Sequence, residues 1–477
     1  MMDPAREAAV WARVRGEQPQ EQPQAPTASP WSAETAAALY QAEAAAAYTY
    51  QRLAGRCRGS LRRSLLGLAQ EAAAQRRSLE AVVYLLQGTR PPQPRQEPCG
   101  GLAAALRDAF QREIDKGTTP GVVSMVARRG QIGWFEAQGK QDPAGSTAMA
   151  RDSIFRIFSM TKPLVSLGIM MLVEDGYILL NDPLAKYIPE FANQKVGVER
   201  NGAMEYALPI RPITIQDLLR HTSGISYEIT GAGMVQRMYA KSKVFRRDIT
   251  NEEHAKLIAG MPLMCQPGAE WNYSRSTDIL GRVIEVVSGK TLSAFLSERI
   301  LNPLQMNETG FHTAQDNKSR IAQPFPADPW SGDKVMLFDP LEIPKMESGG
   351  GGLVSTAMDY ARFCQMLLSG GALDGNRVIG RKTLAFMASN HLAANVKVES
   401  HLVPAGHGFG LGFAVRTHEG MAPFAGSVGQ YFWSGMAGTF FWIDPKEDLF
   451  ALFLSQGPGQ REYFRTLVRS LVYAAVE

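Results

Sequence analysis

The chain has 477 residues, of which 45% are hydrophobic and 20% charged, as in an ordinary globular protein of two or three domains. Lysine and arginine total 50 against 46 acidic residues, and the resulting charge of +4 argues against a nucleic-acid partner. Cys57, Cys99, Cys265 and Cys364 lack metal-binding spacing, so we expect free thiols and no metal or other cofactor. No apolar run approaches the roughly 20 residues of a membrane span, which predicts a cytoplasmic protein without a membrane partner.

The N-terminal part differs from the rest in composition, because no lysine appears before Lys116. Residues 1–31, rich in proline and glutamine, are predicted to be disordered. Two alanine-rich amphipathic helices, about 32–54 and 60–87, predict an α-helical hairpin over 32–88, followed by a proline-rich linker at 89–100. Two helices cannot bury both apolar stripes alone, so we expect this hairpin to dock on the main domain or to form a homo-oligomer.

The same hairpin is similar to half of a ferritin-like bundle in its segments around Glu43 and Glu71. Such bundles bind iron through Glu-x-x-His. Here three alanines follow Glu71, and the hairpin contains no histidine, so we expect no metal there.

Residues 101–477 are predicted to form one further domain. A helix over 101–116 precedes strands 122–127 and 132–137, which flank a turn at Arg129-Gly130. The chain closes with strands 439–443 and 449–454 and a helix near 462–476. Strands at both ends of a mainly helical stretch, about 160–300, predict an α+β fold. We expect one antiparallel sheet flanked by helices, with a helical insertion and a cleft between them.

The tetrad Ser159-Met160-Thr161-Lys162 opens an apolar segment, 159–176, that is predicted to be a buried helix capped by Gly176. Residues three apart share a helix face, so the Lys162 amine can reach the Ser159 hydroxyl. A serine hydroxyl needs a neighbouring base to act as a nucleophile at neutral pH. A second such tetrad, 331–334, lies among turn-forming residues that no helix could span. Ser159 is therefore the candidate nucleophile.

Two later segments carry further candidates. Tyr273 precedes an amphipathic helix within 271–289, where its phenol either packs and caps the helix or shuttles the nucleophile's proton. Trp433-Ser434-Gly435 precedes the strand 439–443 and could offer backbone N–H groups to an oxyanion. His221 lies in a turn, and without a Gly-x-Ser-x-Gly motif we expect a structural role for it.

In order and spacing, these motifs resemble those of the class C β-lactamase-related serine hydrolases, and most of all the family VIII carboxylesterases. Four other segments, 154–162, 218–224, 349–356 and 441–445, agree with the resemblance, which covers about 101–477. It implies a β-lactamase/penicillin-binding-protein-like fold. It also implies site residues: Ser159 as the acylated nucleophile, Lys162 as base or proton relay, Tyr273 as its partner, and an oxyanion hole at the N–H groups of Ser159 and Met436, beside Trp433 and Gly435.

Two departures from the lactamase pattern bear on the substrate. This chain has Trp433-Ser434-Gly435 in place of Lys-Thr-Gly, and Tyr273-Ser274-Arg275 in place of Tyr-x-Asn. The lysine helps bind a substrate carboxylate and the amide grips a β-lactam side chain, so their loss favours neutral esters. We expect a serine carboxylesterase for short- to medium-chain acyl esters. A β-lactamase, a D-amino-acid peptidase and a catalytically silent penicillin-binding-like scaffold are the alternatives.

Overall fold

The computed structural model describes residues 100–398 and 402–476, so the predicted disordered segment, the helical hairpin and the linker up to residue 99 lie outside the described residues. The α-helices of the described part are α1 Gly100–Asp115, α2 Thr161–Glu174, α3 Ile215–Leu219, α4 Met234–Ser242, α5 Asn251–Ala259, α6 Ser276–Ser288, α7 Leu292–Leu296, α8 Ala357–Leu368, α9 Arg381–Met387 and α10 Arg461–Ala474. Shorter helical turns are found at Phe158–Met160, Leu184–Lys186, Pro189–Asn193, Ser297–Leu301, Gln315–Arg320 and Pro458–Gln460.

The β-strands of the described part are β1 Gly121–Arg128, β2 Gln131–Gly139, β3 Phe155–Arg156, β4 Val196–Arg200, β5 Ala203–Ala207, β6 Glu270–Trp271, β7 Val354–Ser355, β8 Ala372–Leu373, β9 Asn376–Arg377, β10 Lys397–Val398, β11 His407–Phe409, β12 Ala414–Arg416, β13 Tyr431–Ser434, β14 Phe440–Asp444 and β15 Leu449–Ser455. Seven of them form one antiparallel sheet with the order β11-β12-β13-β14-β15-β1-β2. The other strands pair two by two.

The two ends of the described chain meet in this sheet. Strand β1 lies between β2 and β15 and pairs with β15 from Val122↔Ser455 to Arg128↔Leu449. Arg129 and Gly130 join β1 to β2 with φ angles of 54° and 73°, as a tight hairpin turn requires. The predicted α+β fold with an antiparallel sheet is confirmed.

Helices cover both faces of the sheet, which explains why β14 and β15 are buried at every position and mostly apolar rather than alternating. On one face, the Phe453 ring packs 5.5 Å from Phe110 of α1 and 4.9 Å from Phe464 of α10. On the other face, Phe441 packs 5.2 Å from Tyr360 of α8. The core therefore continues from helix to sheet to helix.

The predicted helical insertion is present as helices α2 to α7, and α2 is buried along nearly its whole length. Gly176, with a φ of 79°, follows the end of α2 as expected. The hairpin of β4 and β5 within this region was not predicted, because its strands are short and largely polar. Cys265 and Cys364 are buried free thiols. No helix among the described residues combines the length and hydropathy needed to cross a bilayer.

Candidate active site

Ser159 lies on the short helical turn Phe158–Met160, and α2 begins two residues later, at Thr161. The prediction that Ser159 opens the α-helix is therefore wrong by one short turn. One cause is Pro163, which has no N–H to donate to the Ser159 carbonyl, and Phe158, just before Ser159, has a φ of 43° that an α-helix does not contain. A bulky residue in this left-handed region stores strain, which is characteristic of functional sites. The Phe158 ring packs 5.3 Å from Phe338, and this contact helps to hold the turn.

Lys162 lies in the first turn of α2 and is almost fully buried. Its Nζ donates to Ser159 Oγ at 3.3 Å, to the Tyr227 hydroxyl at 3.0 Å and to the Gly350 carbonyl at 2.7 Å. Three acceptors match the three donors of an ammonium group. The Nζ also lies 4.5 Å from the centre of the Tyr273 ring. The geometry therefore describes a charged lysine in contact with the candidate nucleophile.

The electrostatic surroundings of Lys162 favour the same state. Burial lowers its pKa, but Tyr227, Tyr273 and the Asp278 carboxylate raise it by more, so the net shift is upward. Burial raises the pKa of Tyr227, which keeps that side chain a neutral phenol. Asp278 is fully buried behind Gly350 and accepts the Gly350 N–H at 2.9 Å, which fixes the carbonyl that Lys162 contacts.

Tyr273 and Trp433, predicted from separate motifs, contact each other. Trp433 Nε1 donates to the Tyr273 hydroxyl at 3.3 Å, and the two rings lie 5.3 Å apart. The His221 ring lies 5.0 Å from Tyr273 on another side, and its Nδ1 is 3.1 Å from Ser274 Oγ. Burial holds the pKa of His221 well below its usual value, as expected of a structural, neutral imidazole. Trp433 therefore supports Tyr273 in the position where the lactamases carry a lysine.

Gly435 brings the end of β13 against the turn that carries Ser159. A Cβ at position 435 would lie 2.4 Å from the Ile157 carbonyl, so no larger residue fits without movement. The Gly435 N–H donates to the Thr439 carbonyl at 2.7 Å, and Thr439 Oγ1 donates to Ile157. Met436, the next residue, lines the same cavity as Ser159.

These residues surround a cavity of about 840 Å³. Its wall includes Ser159, Tyr273, Trp433, Gly435 and Met436, so the structure brings the site residues predicted from sequence together. Its lining includes apolar side chains, among them Phe158, Ile229, Phe245, Met336, Phe338 and Met346.

Sequence reasoning missed several contributors to this wall. Tyr227 belongs to no motif used in the prediction, although it follows the turn of His221 by six positions. The segment 336–351 also lines the cavity, whereas no residue of 190–210 does. That segment instead forms the β4–β5 hairpin.

The second Ser-x-x-Lys tetrad lies outside the cavity, as its sequence context indicates. Ser331 belongs to a turn in which its N–H donates to Asp328 Oδ1 at 3.2 Å. Its Oγ accepts from the Asp333 N–H at 3.2 Å rather than from Lys334. Ser331 is therefore a natural control for Ser159.

An α+β architecture with Ser159 and Tyr273 in one cleft and Lys162 in contact with Ser159 is that of a serine hydrolase with a penicillin-binding-protein-like fold, and comparison with known proteins gives the family. Residues 106–474 match the family described as Beta-lactamase, and the chain belongs to that family. Among solved structures, it is similar to EstCE1, described as a hydrolase with promiscuous acyltransferase activity. The TM-score is 0.64 at 25% identity, over 78% of this chain and 99% of that one.

Two relatives match over most of their length. Esterase EstB of Burkholderia gladioli is 30% identical over 396 residues, which span 78% of this chain and 95% of the esterase. Protein Rv1367c of Mycobacterium tuberculosis is 34% identical over 365 residues, or 75% of this chain and 89% of that protein. These matches agree with the resemblance inferred from the motifs.

Proposed function

We propose that this protein is a carboxylesterase that hydrolyses short- to medium-chain acyl esters through an acyl-enzyme on Ser159. The observation that carries the proposal is the 3.3 Å contact between Lys162 Nζ and Ser159 Oγ, in a cavity that Tyr273 also lines. The names of two similar proteins, Esterase EstB and the hydrolase EstCE1, support an ester as the substrate. The apolar wall around Phe158 and Phe338 suits an acyl chain.

In the proposed reaction, Ser159 Oγ attacks the ester carbonyl carbon while its proton passes to the Tyr273 oxygen. Lys162, an ammonium group beside both, stabilises the phenolate form of Tyr273 that accepts this proton. The N–H groups of Ser159 and Met436 bind the developing oxyanion. Tyr273 then protonates the departing alkoxide, and the acyl group remains on Ser159.

The second half-reaction reverses these roles. Water attacks the acyl carbonyl carbon, Tyr273 accepts a water proton, and the carbonyl–Oγ bond breaks. The Tyr273 proton returns to Ser159 Oγ, which releases the carboxylic acid and restores the starting state. Trp433, through its hydrogen bond to Tyr273, keeps the phenol oriented in both steps.

The test compares Ser159→Ala with Ser331→Ala on 4-nitrophenyl butyrate. We expect Ser159→Ala to lose at least about a thousandfold in kcat/KM, because the nucleophile is gone, whereas Ser331→Ala keeps the parent rate. Intact mass after a fluorophosphonate should show one adduct in the parent and none in Ser159→Ala. Retained hydrolysis in Ser159→Ala would refute the assignment, and nitrocefin turnover above ester turnover would favour a β-lactamase.

A further inference from the structure

The two phenols beside Lys162 lie on irregular backbone. Tyr227 belongs to a segment without helix or strand, and Tyr273 lies in a second such segment, between β6 and α6. Their rings are 5.3 Å apart, and Lys162 Nζ lies 3.0 Å from the Tyr227 hydroxyl and 4.5 Å from the centre of the Tyr273 ring. Irregular segments hold a site less precisely than helices or strands do, so contacts between the two segments have to set the spacing of the phenols.

Arg275 makes such a contact. It lies two positions after Tyr273, and its Nε donates to Glu228 Oε2 at 3.1 Å while its Nη2 donates to Glu228 Oε1. Glu228 directly follows Tyr227 in the chain. Two parallel hydrogen bonds between a guanidinium and a carboxylate add geometric specificity as well as energy. A backbone hydrogen bond between the same segments, from the Arg275 N–H to the Ser226 carbonyl, is long, 3.4 Å. The ion pair therefore joins the two segments next to both phenols.

The remaining nitrogen of Arg275 faces a second carboxylate. Its Nη1 lies 3.5 Å from Asp278 Oδ2, and its guanidinium carbon lies 5.1 Å from the centre of the Tyr227 ring. The side chains of Arg275, Glu228 and Asp278 are only 9%, 12% and 1% exposed. All three nitrogens are thus engaged by carboxylates of the protein itself. Arg275 stands where the lactamases carry the asparagine of Tyr-x-Asn, but its contacts leave it little capacity to grip a substrate in the same way.

Asp278 connects this pair to Lys162. Its Oδ1 accepts the Gly350 N–H at 2.9 Å, and the Gly350 carbonyl accepts from Lys162 Nζ at 2.7 Å. Burial raises the pKa of Asp278, but cationic neighbours, Arg275 first among them, lower it by more, so the group is a carboxylate. Arg275 therefore touches both structures that hold the Lys162 ammonium: the Tyr227 ring, and the carboxylate that fixes Gly350.

We propose that Arg275 and Glu228 are a positioning pair, which holds Tyr227 and Tyr273 at the spacing that lets Lys162 and Tyr273 act on Ser159. The arginine thus acts on the phenols of the enzyme, whereas the lactamase asparagine acts on the substrate. The inference rests on the proposed esterase function. Weakening the pair should slow the chemical step by the same factor for every ester, because the displaced groups are common to all of them.

Arg275→Lys tests the proposal, because lysine keeps the charge but cannot form two parallel hydrogen bonds. The substrates are 4-nitrophenyl acetate, butyrate and octanoate. We expect kcat to fall about tenfold for all three esters while KM stays within about threefold, since Tyr273 acts in both half-reactions. Arg128→Lys is the matched control and should keep the parent kcat. Its Nη2 lies 2.9 Å from Glu447 in a partly buried pair, and neither residue belongs to the described lining of the cavity.

Glu228→Gln weakens the pair from its other side, since an amide of the same shape replaces the carboxylate, and it should lower kcat about threefold or more. A melting curve shows whether Arg275→Lys folds; if it does not, Glu228→Gln decides alone. Parent-like kcat in the folded variants overturns the proposal. A loss confined to KM, or one that differs among the three acyl groups, also overturns it and assigns Arg275 to substrate binding. Failure of the proposed function would look different, since the parent would hydrolyse none of the three esters.

Discussion

Tyr227 has a defined place in the site although it carries no motif. Its hydroxyl accepts from Lys162 at 3.0 Å, and the guanidinium of Arg275 lies 5.1 Å from its ring centre. A phenol in this position fixes one of the three hydrogen bonds of the Lys162 ammonium and leaves the other two for Ser159 and Gly350. The role that follows is positioning of Lys162 rather than contact with the reacting ester.

Removing this hydroxyl gives the first prediction. Tyr227→Phe should lower kcat for 4-nitrophenyl butyrate about tenfold, because one hydrogen bond to a buried ammonium is worth about 1.5 kcal/mol or more. Tyr239→Phe is the control, since Tyr239 is also buried but its hydroxyl accepts the Ser226 N–H, at 3.4 Å, rather than a hydrogen bond from Lys162. Equal rates in the two variants would contradict a role for Tyr227.

At the residue scale, the sequence predicted contacts correctly where the two residues lie close together in the chain. Ser159 and Lys162 are three positions apart, so helical geometry alone brings them together. Tyr227 contacts Lys162 from 65 positions away, and Arg465 contacts Gly435 from 30. Contacts at such separations depend on how whole helices pack, which no local pattern specifies.

The four-glycine segment 349–352 shows how an element can depend on the absence of side chains. A Cβ on Gly350 would lie 2.6 Å from Asp278 Oδ2, whereas a Cβ on Gly351 would meet its nearest atom at 3.6 Å. Gly350 is therefore held between a buried carboxylate and the Lys162 ammonium, and its neighbour has room.

We accordingly predict opposite outcomes for two adjacent substitutions. Gly350→Ala should displace the carbonyl that Lys162 contacts and reduce kcat/KM at least about tenfold, while Gly351→Ala should stay within about threefold of the parent. The measurement is ester hydrolysis with melting temperatures recorded alongside. If the two variants had the same activity, the segment would accommodate a Cβ at position 350, and the close approach of Gly350 to Asp278 would not matter for catalysis.

Helix α3 is held by an unusually well-paired carboxylate. Asp217 forms a capping box with Thr214 and accepts from Arg211, Arg220 and Thr222, and no part of its side chain is exposed. Burial raises its pKa, but Arg211 and the Thr214 N–H lower it by more. This network fixes the turn that carries His221.

Asp217→Asn should therefore destabilise the fold by about 2–3 kcal/mol, because several hydrogen bonds to a charged group are lost at a buried position. The control is Asp248→Asn, since Asp248 forms its ion pair with Arg246 at the surface and should leave the melting temperature unchanged. Urea unfolding and thermal melting curves of both variants give the comparison. A melting temperature for Asp217→Asn equal to that of the parent would show that the network adds nothing.

At the scale of the whole molecule, buried histidines make stability depend on pH. Burial lowers the pKa of His254 to about 4 and that of His407 to about 4, and it holds that of His221 well below its usual value. The unfolded chain binds protons at these groups from about pH 6.5 downward, whereas in the folded chain His254 and His407 do not until about pH 4. Their contribution is thus complete above pH 6.5 and is lost as the pH falls through this window.

The melting temperature should therefore drop between pH 7 and pH 5, by an amount that reflects about 1.4 kcal/mol for each pKa unit crossed. His254→Asn should show a shallower decline than the parent, because one of the contributing groups is gone. Thermal unfolding at half-unit pH steps tests this. If the melting temperature of the parent did not change with pH, protonation of these imidazoles would not destabilise the folded state.

The overall architecture was predictable because two apolar runs, one early and one late in the described domain, have the length and composition of buried strands. The runs 122–127 and 449–454 are buried on both faces and became β1 and β15 with boundaries shifted by at most one residue. The part of the cavity wall between residues 336 and 351 was not predictable in the same way. Segment 336–351 lines the cavity and has no regular secondary structure for most of its length. Irregular segments of this kind leave no periodic pattern of hydrophobic residues in the sequence.

The seam between β1 and β15 has a consequence for biosynthesis. Thr119 and Ser455 share a hydrogen bond across 336 positions, so β1, an inner strand of the sheet, has no partner on one side until β15 has been synthesised. Until then, β1 presents an unpaired edge that can recruit other nascent chains. Synthesis of β15, rather than emergence of the first half of the domain, therefore sets the earliest moment at which the sheet can close, and pairing over such a sequence separation favours slow folding.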